Sequence, residues 1–62
     1  MKTTIINILI KRDNMTRFEA TELISQAQQA FNEYMNDGDL DSAYNICEEF
    51  FGLEPDYMEA FI

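Results

Sequence analysis

Thr16-Arg17-Phe18-Glu19-Ala20 opens the stretch that decides the fold, which runs through Leu23-Ile24, Ala27, Ala30-Phe31 and Tyr34-Met35 to Asn36-Asp37-Gly38. Thr16 and Glu19 form a T-x-x-E capping box, in which the hydroxyl and the carboxylate each satisfy a backbone N–H that a helix start leaves unpaired. Behind the cap, apolar residues return at three- and four-residue steps, while Glu22, Gln26, Gln29 and Glu33 fall on the opposite side. That is the period of an amphipathic helix. Asn36-Asp37-Gly38 ends it, because glycine accepts the left-handed conformation that closes many helices. The spacing predicts a helix over about 16–36.

Past this stop, Asp39 is placed to cap a second main helix over 39–51, with Leu40, Ala43, Tyr44, Cys47, Phe50 and Phe51 as its buried side. Gly52 suits the residue after its end, and Pro55 suits the first turn of a short C-terminal segment whose apolar face is Met58, Phe61 and Ile62. The tight link between the main helices predicts antiparallel neighbours. Upstream, Ile6, Ile8 and Ile10 alternate as in a strand, but Ile5, Ile6, Leu9 and Ile10 also share one helical face. The chain offers no second strand to pair with, so helix is the expectation. The fold expected is all-α: a single domain over 1–62, built as a helical hairpin with short helical segments at both ends.

Residues 1–14 also admit a second reading. One back-translation of Lys11-Arg12-Asp13-Asn14 places a purine-rich ribosome-binding signal before Met15, which would make the segment an N-terminal extension or translated leader. On that reading the chain from Met15 onward folds alone.

Charge narrows the function classes. Twelve acids face four Lys and Arg, a net charge of −8, and the imbalance is uneven: residues 1–14 carry +2 and residues 15–62 carry −10. Direct nucleic-acid binding needs a basic face and is not expected. A basic or nucleic-acid-binding protein is the complementary partner. The apolar run Ile5–Ile10, broken by Asn7, is too short to cross a membrane, so no membrane partner is expected. A cytoplasmic location follows as an expectation.

Catalytic signatures are missing. The chain has no histidine, no glycine-rich phosphate loop, and no serine or cysteine beside a base, so neither an enzyme nor a cofactor is expected. Cys47 is the single cysteine and reads as a small core residue. Asp37, Asp39, Asp41 and Glu48 reproduce ligand spacings of an EF-hand calcium loop. Ser42, however, occupies the position where that loop needs glycine, and an ordinary capped turn accounts for the same acids. No metal is expected.

Two resemblances add to this reading. Tyr34, Gly38, Leu40, Ala43, Phe50, Leu53 and Pro55, followed by Ala60-Phe61, resemble the second half of a tetratricopeptide repeat running into the next one. The likeness covers residues 34–62 and stops upstream, where Phe31 takes the small-residue position and Ala27 the tryptophan-like one. It implies helical-hairpin geometry and a protein-interaction role.

The chain is also similar to small acidic helical proteins of phages and mobile elements in size, charge and lack of catalytic residues. Its Met15-Thr16-Arg17 start and its Gly52–Tyr57 ending resemble their small reading frames. That resemblance implies an inhibitor of anti-restriction or anti-CRISPR type, which mimics phosphate charge before a nucleic-acid-binding host protein. The outward carboxylates Glu22, Glu33, Asp41, Glu48 and Glu49 are the residues expected to meet the partner. The competing expectation is an interaction module or homodimeric adaptor, which binds through an apolar groove around Phe51 and Tyr57.

Overall fold

The computed structural model describes residues 2–61, so Ile62 of the expected C-terminal face lies outside the described residues. Four α-helices follow one another: α1 Lys2–Asp13, α2 Arg17–Asn36, α3 Leu40–Tyr44 and α4 Ile46–Phe51. A 3-10 helix over Pro55–Phe61 completes the chain. No strand occurs among the described residues, and the all-α expectation stands.

The capping box forms as read. Thr16 Oγ1 accepts from the Glu19 N–H at 3.1 Å, and the Thr16 N–H donates to Glu19 Oε1 at 2.9 Å. Backbone donation to Glu19 holds its carboxyl below the usual range. At the far end, Gly38 adopts φ 76°. The Asp39 N–H then donates to the Tyr34 carbonyl at 2.9 Å and the Gly38 N–H to the Met35 carbonyl at 3.2 Å. This is a Schellman closure with glycine at its left-handed position. Asp39 begins the next element as well, since its side chain accepts from the Ser42 N–H at 3.3 Å. One residue thus closes α2 and caps α3, which sets the direction of the return.

The single helix expected over 39–51 is two short ones. The chain kinks at Asn45 (φ −94°, ψ 7°), whose N–H is shared between the Asp41 and Ser42 carbonyls at 3.2 Å each. Asparagine is a poor interior helix residue, because its side chain competes for backbone groups. The Glu49 N–H still reaches the Asn45 carbonyl at 2.9 Å, so the two pieces stay linked.

The core draws on every element. Ile5 and Leu9 come from α1, and Ala20, Ile24, Ala27 and Phe31 from α2. Ala43 of α3, Ile46, Cys47 and Phe51 of α4, and Phe61 of the 3-10 helix complete it. Helix α2 touches α1, α3 and α4, and the 3-10 helix packs against α4 and α1. Three rings form its centre. Phe61 stacks on Phe51 with centroids 6.0 Å apart and meets Phe31, tilted, at 6.2 Å. Offset and tilted aromatic pairs of this kind are favourable beyond the area they bury.

Helix α1 belongs to this core. Ile5 and Leu9 are fully enclosed, and the Arg12 guanidinium donates to the Phe51 carbonyl at the end of α4. Helix α1 packs against α2 and the 3-10 helix, so a chain that began at Met15 would leave those surfaces uncovered. The expected buried side of the second main helix also changes. Ala43, Cys47 and Phe51 are buried and Phe50 is half-buried, but Leu40 is 46% and Tyr44 48% exposed. Met35, read as part of the apolar stripe of α2, is exposed too. Within α3 only Ala43 is buried.

Candidate functional site

All five expected partner-binding carboxylates reach solvent. Glu22 and Glu33 lie eleven residues apart on α2, about three turns and roughly 16 Å along one face. That face is opposite Ala20, Ile24, Ala27 and Phe31, which are buried, so both carboxylates point away from the core. Asp41 stands in the first turn of α3, and Glu48 and Glu49 stand in the first turn of α4. Glu48 and Glu49, with Asn45, line a recess of about 200 Å³ just past the kink.

Glu49 of α4 and Glu33 of α2 both act on the Tyr34 side chain. The Tyr34 phenol is pushed above its ordinary value chiefly by the charge of Glu49, then by its own burial, and further by Asp39 and Glu33. The end of α2 and the start of α4 thus share one negative field. Of the five expected site residues only Glu49 and Glu33 act on the Tyr34 phenol, and Glu22, Asp41 and Glu48 do not.

Cations do not answer these acids. Residues 18–62 contain no Lys or Arg. Among the described residues the one ion pair is Arg12–Asp13 at 2.8 Å, which lowers the Asp13 carboxyl through its hydrogen bond to the guanidinium. Lys2 lies with its Nζ 5.8 Å from the centre of the Phe61 ring. Glu33 and Asp37 also stand at the C-terminal end of α2, where the helix dipole is negative and no basic residue occupies the last turn.

Of the two aromatic residues expected to line an apolar groove, Tyr57 is partly buried and Phe51 is enclosed at 3% exposure. Phe51 instead lies in the core, as the buried side of the second main helix implied, with its ring stacked on Phe61 and tilted against Phe50. Apolar surface appears elsewhere, at Leu40 and Tyr44 of α3 and at Phe18 and Met35 of α2. Periodicity could not have found the first pair, since both residues sit in phase with the buried side of an unkinked helix.

The acids with calcium-loop spacing are used locally or stand apart. Asp39 caps α3, and no group of three or more metal-ligating side chains converges among the described residues. Cys47 is enclosed, and burial raises its thiol pKa, which keeps it protonated. No helix among the described residues is long and apolar enough to cross a membrane. Comparison with protein-family models, with curated proteins and with solved structures found no match.

Proposed function

We propose that this chain is a non-enzymatic acidic binding protein, an inhibitor of phage or mobile-element type. It blocks a nucleic-acid-binding host protein by setting carboxylates where that partner receives phosphates. The hairpin of α2 against α3 and α4 is the platform in this reading, and Glu22, Glu33, Asp41, Glu48 and Glu49 are the contact groups. The observation that carries it is the uncompensated surface: these five carboxylates are exposed, and among the described residues none has a cation partner. Solubility alone accounts poorly for the placement of Glu33 and Asp37. Acids in the last turn of a helix oppose its dipole and are unfavourable by about 0.3–1 kcal/mol each. Groups kept where they weaken the fold are better explained by an external basic partner.

The test is a pull-down from bacterial lysate at low and high salt, with and without competing duplex DNA. It compares the native chain with a variant carrying Glu22→Gln, Glu33→Gln, Asp41→Asn, Glu48→Gln and Glu49→Gln. The native chain should retain a basic nucleic-acid-binding protein that duplex DNA and high salt release. The neutralised variant should lose it yet melt no lower, because exposed charges add little stability. Capture that survives neutralisation and salt alike would refute charge mimicry.

A further inference from the structure

On the face formed by α3 and the C-terminal 3-10 helix, Tyr44, Pro55, Asp56, Met58 and Glu59 line a groove of about 310 Å³. Leu40 lies outside this lining but one turn before Tyr44 on the same side of α3, so the two exposed side chains share that side. Leu40 and Tyr44 are each nearly half exposed, an apolar surface the fold leaves uncovered. Asp56 and Glu59 stand in the groove wall, and Asp41 lies next to Leu40 in the chain. Across residues 39–61 there are seven acids and no Lys or Arg.

We propose that this groove receives a basic amphipathic helix of the partner protein, with apolar side chains on Leu40, Tyr44 and Met58 and with Lys or Arg on the acidic rim. The inference rests on the acidic-binding reading above and adds the element of the partner that is bound. Helix-in-groove docking uses such a pairing of apolar floor and charged edge. Charge selects the occupant. A second copy of this chain would bring its own Asp56 and Glu59 to the same groove, and like charges across an interface disfavour association. An anionic membrane surface is repelled for the same reason.

The experiment titrates the isotope-labelled full chain with a synthetic leucine–lysine peptide of helical periodicity, followed by NMR amide shifts and fluorescence anisotropy. A control peptide has the same composition with its periodicity scrambled. The amphipathic peptide should shift Leu40, Tyr44 and Met58, and should bind at least about tenfold more tightly than the scrambled one. Leu40→Ser with Tyr44→Ser should remove that preference while the helical circular dichroism is kept. Equal binding of the two peptides, or a preference untouched by the double substitution, would overturn the groove. So would sedimentation showing a dimer of the native chain that the double substitution dissolves, because a second copy would then be the occupant. The outcomes separate from those of the charge reading. A lysate partner lost on neutralising the five carboxylates but unaffected by Leu40→Ser and Tyr44→Ser leaves mimicry standing and sinks the groove alone.

Discussion

Phe50 and Phe51 are adjacent phenylalanines in the same short helix, and replacing each in turn by alanine separates packing from periodicity. Phe51 is enclosed and stacks on Phe61 at 6.0 Å, which in turn meets Phe31. Phe51→Ala removes one end ring of this stack and leaves a cavity between α4 and the 3-10 helix, for a loss of about 3–5 kcal/mol. A 62-residue domain holds only ~3–9 kcal/mol in total, so most of the reserve goes. The corresponding fall in melting temperature is roughly 12–40 °C. Phe50 is half-buried and leaves no enclosed cavity, so Phe50→Ala should lose only about 1 kcal/mol of transfer energy. Urea titration followed by far-ultraviolet circular dichroism reads both midpoints on one scale. Phe51→Leu, which keeps most of the volume, should fall between them. Equal midpoints for the two alanine variants would refute the ring stack as the centre of the core.

Deleting residues 1–14 should abolish cooperative melting, because Ile5 and Leu9 are fully enclosed; a truncated chain that melts sharply at the native temperature would put α1 outside the fold. The capping carboxylate has a pH signature. Glu19 is held below its ordinary pKa by the Thr16 N–H, so its contribution is present above the unfolded value and is lost as pH falls through the folded one. Glu19→Gln keeps an acceptor and removes the titration, so the difference in melting temperature between native and variant should shrink on acidification, and a constant difference would contradict this. Gly52 holds φ 66° with only Arg12 Nη1 near an added Cβ, at 4.0 Å, so Gly52→Ala should lose about 1–2 kcal/mol from backbone strain and Gly52→Asn less, both read as shifts in the urea midpoint.

Local chemistry was legible wherever neighbours in the chain determine it. The capping box at Thr16 and Glu19, the Gly38 closure, the cap at Asp39 and the left-handed Gly52 all rest on contacts within a few residues, and each forms as the residue types dictate. The helical period of α2 and the outward direction of Glu22 and Glu33 follow equally from the chain, since a 3.6-residue repeat assigns faces before any packing occurs. The all-α class follows from these local choices together.

Tertiary contacts decided the rest. Residues 2–11 carry strand and helix patterns at once, and packing of Ile5 and Leu9 against the other elements selects the helix. Asn45 is only a weak breaker in sequence, yet the helix breaks there, and Ala43, Ile46 and Cys47 are buried while Leu40 and Tyr44 stay nearly half exposed. Phe50 and Phe51 are alike in type and adjacent in position. The approach of Phe61 from the C-terminal turn, ten residues beyond Phe51, determines which of them is enclosed. Such choices depend on which surfaces meet in space, and a pattern of residue types along one helix carries no record of the partner that covers it.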